Sequence, residues 1–322
     1  MRAPEEIWYG NQPVPWHLSV LEKLYRPLAA IHQRLRRLKA GRVGVPVVVI
    51  GNLTVGGSGK TPLLIHLVNL LKSEFSIGVV SRGYGSSAGR GPIPVNQDSD
   101  AASVGDEPKM IWQGTGVPVM VGSNRLDAAN VLVKRQQVDL IFSDDGLQHH
   151  QLGRDLEIVV VDAARGFGNR RQIPAGPLRE PLERLKSVDF VIKNGAPESM
   201  TLVPGNAVLL NGDDQKPLSS FAAEPVHAVA GIGHPERFFT MLEAAGLAVH
   251  RHPFDDHHAY QLSDLAALRN ETVLTTAKDA TKLAQLGLTR CWIVPVSVQL
   301  APALAEPLLK AIRSLEKPQS IH

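Results

Sequence analysis

The sequence predicts an α/β fold in which helices cover both faces of a mostly parallel sheet. Short apolar runs typical of buried strands alternate with stretches that have helical apolar spacing. A glycine-rich turn joins the first of these strands to the helix after it. A turn-rich stretch at 201–224 separates this part from a shorter series of strands and helices. We therefore expect two α/β domains, the second one smaller.

The elements follow from these runs in chain order. In the first domain, the predicted strands are 45–50, 77–81, 117–121, 139–142, 157–161 and 189–192, and the predicted helices are 63–71 and 125–135. In the second domain, the predicted strands are 226–230, 272–275 and 292–296, and the predicted helices are 237–245 and 303–315. The expected division of the chain is 1–42, 43–213 and 214–322.

Composition excludes several classes of protein. The chain has 322 residues and 43% hydrophobic residues, enough for a sizeable core. Its one cysteine, Cys291, excludes an internal disulfide framework and fits a reducing compartment. A net charge of +3 gives no reason to expect a nucleic-acid partner. We find neither a secretory signal nor an apolar run of about 18 residues, so we expect a soluble or peripherally attached cytoplasmic protein.

The segment 1–42 contains a basic amphipathic helix. Apolar residues recur at intervals of three and four, at Leu18, Leu21, Leu24, Leu28, Ile31, Leu35 and Leu38. Residues 18–42 carry seven basic residues and one acid, Glu22. Such a helix can lie in a membrane interface facing anionic lipid. The pattern alone favours a helix that packs on the core and exposes a basic face.

The glycine-rich turn predicts phosphate binding. Residues 50–62 read Ile-Gly-Asn-Leu-Thr-Val-Gly-Gly-Ser-Gly-Lys-Thr-Pro, between a strand and a helix. This is the layout of a P-loop, whose inward-turned N–H groups surround phosphate oxygens at a helix N-terminus. Thr54 stands where the usual pattern has glycine. The expected nucleotide contacts are Thr54, Val55, Gly56, Gly57, Ser58, Gly59, Lys60 and Thr61, with the Thr61 hydroxyl also on Mg²⁺.

Acidic residues follow one strand and begin one helix. Asp144 and Asp145 come at the end of the strand that contains Leu140, Ile141 and Phe142, so they are expected beside the P-loop, where they can hold Mg²⁺. Gln148 lies at the same rim. Asp106 and Glu107 begin a helix, where they can cap it, ligate Mg²⁺, or stand beside an acceptor hydroxyl.

Basic residues offer further candidates. Arg82, Arg125 and Arg179 each follow a strand or a glycine-rich turn, so they can stabilise phosphoryl charge or form surface salt bridges. Asp256 and His257 suggest a carboxylate–histidine pair, which we favour over a metal cluster with nearby histidines because zinc-ligand spacing is lacking.

Two weaker patterns lie in the second domain. Gly231 and Gly233 follow a strand but lack the third glycine of a dinucleotide fingerprint, so we interpret them as a structural turn. Lys278 and Asp279 are adjacent, whereas a guanine-reading loop has one residue between its lysine and aspartate, which argues against a GTPase.

Together these motifs resemble those of the tetraacyldisaccharide 4'-kinases of lipid A biosynthesis. Thr54 is itself a feature of that family. The matching segments, spread over nearly the whole chain, are Val-Gly-Gly-Ser-Gly-Lys-Thr-Pro (55–62), Ser-Arg-Gly-Tyr-Gly (81–85), Val-Gly-Asp-Glu-Pro (104–108), Asp-Asp-Gly-Leu-Gln-His (144–149), Pro-Ala-Gly-Pro-Leu-Arg-Glu (174–180), Phe-Asp-Asp-His-His (254–258) and Thr-Thr-Ala-Lys-Asp-Ala (275–280).

The resemblance implies transfer of the γ-phosphoryl group of ATP to the 4'-hydroxyl of a tetraacyl glucosamine disaccharide 1-phosphate. It implies Asp106 as base with His257 as its partner. Lys60, Arg125 and Arg179 would stabilise charge. The residues that would hold Mg²⁺ or position the phosphates are Thr61, Glu107, Asp144, Asp145 and Gln148.

The resemblance also implies a location and a partner. The protein would lie on the cytoplasmic face of the bacterial inner membrane, with residues 1–42 on the membrane surface and an acylated lipid as substrate. The alternative is a P-loop switch or metal-chaperone NTPase, which gives the basic helix no role. A dinucleotide-binding oxidoreductase would depend on Gly231 and Gly233 alone.

Overall fold

The computed structural model describes residues 4–10, 12–83 and 91–315. Tyr84 and Gly85, from one of the matching segments, lie outside the described residues. The predicted α/β fold is confirmed: a large, mainly parallel sheet carries the P-loop, a smaller sheet follows, and a long amphipathic helix precedes both.

Helices alternate with strands along most of the chain. The helices are α1 (Pro4–Trp8), α2 (Trp16–Leu38), α3 (Lys60–Leu71), α4 (Ala101–Val104), α5 (Asp106–Thr115), α6 (Arg125–Gln136), α7 (Pro235–Ala244), α8 (Ala277–Leu283) and α9 (Pro302–Arg313). Single 3₁₀ segments cover Leu182–Ser187, Leu218–Phe221 and Leu262–Leu268. The strands are β1 (Val47–Gly51), β2 (Ile77–Ser81), β3 (Ile93–Val95), β4 (Val119–Val121), β5 (Leu140–Asp144), β6 (Leu156–Asp162), β7 (Phe190–Asn194), β8 (Met200–Pro204), β9 (Ala207–Leu209), β10 (Gln215–Lys216), β11 (Val226–Ala230), β12 (Val249–Pro253), β13 (Val273–Thr276), β14 (Cys291–Val294) and β15 (Val296–Leu300).

The first sheet places the candidate residues at one edge. Its order is β15-β8-β7-β6-β1-β5-β2-β4-β3, parallel except for the two outermost strands. β1 pairs in parallel with β5, and Ile50 lies opposite Asp144. Because parallel strands end at the same edge, the P-loop after β1 and the acids after β5 are neighbours. Apolar residues of α3 and α6 cover opposite faces, so the central strands are fully buried.

The second sheet has the order β10-β9-β14-β13-β11-β12, with a parallel centre. The chain passes between the sheets twice, before β9 and after β14. These crossings are adjacent, since the Gly205 N–H donates to the Pro295 carbonyl at 2.8 Å. The predicted division at 213/214 stays a prediction. Two elements of the predicted segment 214–322 belong with the first sheet: β15 is a strand of that sheet, and α9 packs into its core. We use "P-loop unit" for the first sheet with its helices and "second unit" for residues 207–294.

The amphipathic helix α2 leaves its apolar side chains exposed. Exposed fractions on this stripe include 59% for Leu24 and 66% for Leu28. Glu22 is the buried residue of α2. Its carboxylate accepts from the Arg171 guanidinium at 2.8 Å and from the Gln172 N–H at 2.9 Å. The single acid therefore anchors the helix, while the stripe faces outward. Within the described residues, every helix is too short or too polar to cross a bilayer.

A buried carboxylate joins the two units. Asp162, the last residue of β6, is 5% exposed. It contacts the Arg237 guanidinium at 2.5 Å and His234 Nδ1 at 3.0 Å, both from the second unit. Burial raises the pKa of Asp162, but the hydrogen bond from His234 and the charges of Arg237 and His234 outweigh it, so the pKa is lowered. The ionised form is thus favoured in the folded state.

We predict that Asp162→Asn lowers the free energy of unfolding by about 1–3 kcal/mol at pH 7, because it leaves a cation poorly paired. A folded pKa below the unfolded value stabilises the protein above the unfolded pKa. That stabilisation is lost as the pH falls through the folded pKa. The deficit of the variant should therefore shrink below about pH 4. Urea unfolding across this range measures it, with Asp213→Asn on an exposed turn as control. A pH-independent deficit would contradict the ion-pair explanation.

Candidate active site

The P-loop has the backbone that phosphate binding requires. It leaves β1 and ends at Gly59, which has the left-handed φ of +91° and directly precedes α3. A Cβ on Gly59 would lie 2.1 Å from Nδ2 of Asn194, which donates to the Ser58 carbonyl at 3.0 Å. Lys60 and Thr61, the first residues of α3, are buried. The loop therefore presents the N–H groups of a helix N-terminus and one lysine to a bound anion.

Thr54 departs from the P-loop pattern for a local reason. It forms an antiparallel bridge with Leu178, and the next N–H, of Val55, donates to the Pro177 carbonyl at 2.8 Å. The loop thus begins as extended chain held by the 177–178 segment. Any residue adopts this conformation, so the position does not require glycine.

The acids after β5 lie in two different environments. The backbone of Asp145 is in the left-handed region, with a φ of 44°. Its carboxylate contacts Arg179 at 2.9 Å and Lys60 at 3.5 Å. Burial raises its pKa, but Lys60 and Arg179 outweigh burial and hold it well below the usual range. Burial, and then the charges of Glu107 and Asp145, raise the pKa of Asp144. Asp145 is therefore neutralised by cations, whereas Asp144 is not.

Asp144 has an unsatisfied oxygen that suits a cation. Its Oδ2 accepts from the Ser81 hydroxyl at 3.2 Å, while the buried Oδ1 has no hydrogen-bond partner among the described residues. No described group of three or more His, Cys, Asp or Glu side chains is arranged to hold a metal ion. Mg²⁺ takes oxygen ligands and is usually held by one or two carboxylates plus substrate phosphates. The donors present therefore fit Mg²⁺ bound together with a nucleotide.

Asp106 meets His257 across the cleft, although 151 residues separate them in sequence. Asp106 begins α5 and is buried. Its Oδ2 lies 3.2 Å from His257 Nδ1 and 2.7 Å from Lys282 Nζ. Burial raises the pKa of Asp106, but the hydrogen bond from His257 and the positive charges of Lys282 and Lys278 outweigh burial, so the pKa is lowered. Asp106 is thus an ionised carboxylate held by two groups of the second unit.

Several carboxylates and an arginine line one small cavity. Arg125 is 4% exposed and donates to the Asp145 carbonyl at 2.9 Å. It shares the cavity with Asp106, Glu107, Asp144, Asp145 and His257. Gln148 lies elsewhere: its amide donates to Glu180 at 2.8 Å and accepts from Arg179 at 3.2 Å. Arg179 and Gln148 line a different cavity, toward α2.

Two larger cavities border the contact between Lys60 and Asp145, one lined by Lys60 and the other by Asp145. One, of about 360 Å³, lies between the P-loop and the second unit and has Ile232, Phe238 and Met241 in its walls. The other, of about 710 Å³, lies between α2 and the rim of the first sheet. It is lined by Tyr25, Leu28, His32, Arg36, Arg82, Arg125, Gln148, His149 and Arg179. One site can therefore serve two ligands that approach from different sides.

The second-domain motifs have separate roles in the structure. His258 contacts Asp264 at 3.0 Å and His252 contacts His227 at 2.9 Å, so these histidines do not converge with His257. Gly233 packs on the P-loop, where a Cβ would lie 2.3 Å from the Gly57 nitrogen. Gly233 thus allows close approach of the two units, whereas a Cβ on Gly231 would meet Tyr260 within the second unit.

Some site residues escaped sequence reasoning. Asn194 ends β7, two residues beyond the predicted strand, and belongs to no motif, so only the fold brings it to the P-loop. Glu180 closes a matching segment, yet only its neighbour Arg179 was singled out. Lys278 lies 2.7 Å from Asp256 and 3.9 Å from Glu107, although neither its segment's match to the family nor the guanine-reader comparison predicts a role for it in the site.

Comparison with known proteins gives consistent matches. A family model described as tetraacyldisaccharide-1-P 4'-kinase matches residues 14–313. A tetraacyldisaccharide 4'-kinase from Nitrosococcus oceani is 42% identical over 96% of this chain and 94% of its own. One from Alkalilimnicola ehrlichii is 45% identical over 95% and 96%. The crystal structure described as the "apo" form of LpxK from Aquifex aeolicus in complex with ATP has a TM-score of 0.73 and 27% identity, covering 91% of this chain and 96% of that one.

We predict that Gly59→Ala weakens nucleoside triphosphate binding by about tenfold or more, because the added Cβ meets Asn194 and the backbone is left-handed. Gly246→Ala is the matched control, with a φ of +87° and no described atom within 4 Å of the added Cβ. Titration calorimetry with a non-hydrolysable ATP analogue measures the difference. Equal affinity of the two variants would show that the P-loop conformation is not what binds the nucleotide.

Proposed function

The chain belongs to the tetraacyldisaccharide-1-P 4'-kinase family, and we propose that it transfers the γ-phosphoryl group of ATP to the 4'-hydroxyl of a tetraacyl glucosamine disaccharide 1-phosphate. This is a step of lipid A biosynthesis. The observation that carries the proposal is the meeting of Asp106 and His257 in a cavity that also holds Asp144, Asp145 and Arg125. A buried carboxylate–histidine pair beside a P-loop suits transfer to a hydroxyl better than a conformational switch.

The donor occupies the cavity between the P-loop and the second unit. Gly57 to Thr61 line its floor, and apolar residues of the second unit suit the face of a nucleoside base. Lys60 meets the β- and γ-phosphates in this arrangement. Its contact with Asp145 keeps the ammonium beside the transferring group.

Thr61, Asp144 and Glu107 are the residues that would hold Mg²⁺ together with the phosphates. The unpartnered Oδ1 of Asp144 favours this assignment. Asp145 Oδ1 also lacks a hydrogen bond, but the Asp145 carboxylate is ion-paired with Lys60 and Arg179. The Gln148 amide oxygen is engaged by Arg179, so Asp145 and Gln148 align the charged groups. When bound, the ion supplies positive charge that neutralises the phosphate oxygens.

Asp106 orients the 4'-hydroxyl and takes its proton. The acceptor oxygen forms a bond to the γ-phosphorus, the bond between that phosphorus and the bridging oxygen of ADP breaks, and the proton moves to the Asp106 carboxylate. A loose phosphoryl-transfer transition state requires little deprotonation early, so a carboxylate of low pKa is adequate. Arg125 and Arg179 stabilise the charge on the transferring group.

The acceptor enters from the side of α2. The cavity of about 710 Å³ has α2 as one wall and the arginines of the site as the other. An acylated disaccharide can place its sugars here while its chains stay in lipid. The exposed apolar stripe of α2 and its basic residues suit an anionic membrane surface. Since ATP is the donor, this surface is the cytoplasmic face of the inner membrane.

The direct test uses purified protein, γ-labelled ATP and the tetraacyl disaccharide 1-phosphate dispersed in detergent. We expect label in a lipid product that carries the new phosphate on the 4'-oxygen. A lipid already phosphorylated at that position is the control and should accept none. ATP turnover that is equal without lipid, together with no lipid product, would refute the kinase assignment.

We predict that Asp106→Asn lowers the transfer rate by about 10²–10⁴-fold, because the amide cannot accept the proton. Nucleotide binding should change little, since the phosphates contact the P-loop. Asp213→Asn serves as the control for loss of one acid. Product formation and ATP affinity are measured on the same preparations. Loss of ATP binding in Asp106→Asn would instead assign Asp106 to the nucleotide or its metal.

We predict that Leu24→Asp weakens binding to vesicles of phosphatidylethanolamine and phosphatidylglycerol by about tenfold or more, since burying one leucine contributes about 1.5–3 kcal/mol. Leu262→Asp is a matched control, because Leu262 is 64% exposed and Leu24 59%, but Leu262 lies on the second unit. Vesicle flotation measures the bound fraction. Equal loss in the two variants, or none in Leu24→Asp, would refute the role of α2.

A further inference from the structure

Helix α8 aims two lysines at the start of α5. Lys278 and Lys282 are four residues apart and so lie on one face of α8. Lys282 Nζ lies 2.7 Å from Asp106 Oδ2, and Lys278 Nζ lies 2.7 Å from Asp256 Oδ1 and 3.9 Å from Glu107. Both side chains are largely buried: 16% of Lys282 and 12% of Lys278 is exposed. The contacts therefore persist in a shielded environment.

The helix that carries these lysines is itself fixed. Asp279, fully buried, accepts from the Tyr260 hydroxyl, the Gly231 N–H and the Thr276 hydroxyl at 3.1, 3.1 and 2.7 Å. Thr276 also caps α8 by accepting from the Asp279 N–H. Lys282 thus extends from a rigid base. By contrast, His257 lies on a loop and its side chain is 45% exposed.

Both second-unit contacts fall on the same oxygen of Asp106. His257 Nδ1 and Lys282 Nζ each make their closest contact with Oδ2, at 3.2 and 2.7 Å. Two contacts on one oxygen fix the carboxylate against rotation. Oδ1 is then left to face an acceptor hydroxyl in the cavity that Asp106 lines.

We propose that Lys282 is a positioning residue for the phosphoryl transfer: it holds Asp106 by Oδ2 so that Oδ1 meets the acceptor hydroxyl. This rests on the proposed function, with Asp106 as the base. Lys282 itself touches neither ligand in this account. A shift of about 1 Å in a reacting group can lower a rate by about 10²-fold, so loss of Lys282 acts on turnover rather than on binding.

The test compares Lys282→Met with Lys282→Arg in the lipid-phosphorylation assay. Lys282→Met should lower kcat by about 10–100-fold, with KM for ATP changed by less than about threefold. Lys282→Arg, which retains the charge, should recover most of the rate. Lys310→Met, on the exposed face of α9, is the control for loss of one lysine. Thermal unfolding of each variant checks the fold, and Lys282→Gln replaces Lys282→Met if the latter unfolds.

A second comparison tests whether Lys282 acts through Asp106. In an Asp106→Asn background, Lys282→Met should cause no further loss, because the group that it positions has lost its function. A full additional loss in that background, or an unchanged kcat in Lys282→Met alone, would overturn the proposal. Wild-type protein in the same assay separates the two claims. No lipid product from the wild type refutes the kinase assignment, whereas product with an unaffected Lys282→Met refutes only the role of Lys282.

Discussion

The carboxylates at the carboxyl edge of the first sheet are buried, and several obtain their cations from the second unit. Asp106 contacts Lys282 and His257, while Asp162 contacts Arg237 and His234. A buried charge that loses its partner costs several kcal/mol, so these acids are stable as ions only when the units are docked. Docking and completion of the site are therefore the same event. Docking also brings Gly233 close to Gly57, and glycine is required there because a Cβ on Gly233 would lie 2.3 Å from the Gly57 nitrogen.

This arrangement separates the two substrates of the proposed reaction. A soluble nucleotide enters between the units, and a lipid enters between α2 and the first sheet. Lys60 and Asp145 lie where the two cavities approach each other. Glu22 fixes helix α2, so its apolar stripe stays exposed and is available to the proposed membrane surface. Phosphoryl transfer thus takes place at the point where water-soluble and membrane-bound ligands meet.

Much of the candidate site could be predicted from the sequence because its motifs are contiguous. The P-loop and the acids after β5 are each encoded by adjacent residues, and parallel pairing of β1 with β5 brings them together. The fold class could also be predicted, because the spacing of apolar residues that indicates strands and helices is a pattern of neighbouring residues. Asp106 and His257 were paired only through the family resemblance, since 151 residues separate them. Lys282 and Asn194 belong to no local pattern, and only tertiary packing brings them to the site.

Periodicity showed that α2 is amphipathic, but not whether its stripe is packed or exposed. The edge strand β12, largely exposed and rich in histidine, lacks the apolar run that reveals a buried strand.

The central claim is that Asp106, held from the second unit, receives the acceptor hydroxyl. A crystal structure with a non-hydrolysable ATP analogue, Mg²⁺ and the tetraacyl disaccharide 1-phosphate tests it directly. We expect the 4'-oxygen about 2.6–3.2 Å from Asp106 Oδ1, with Lys282 still on Oδ2. A 4'-oxygen bound by another group, or an Asp106 carboxylate turned onto the metal, would contradict the account.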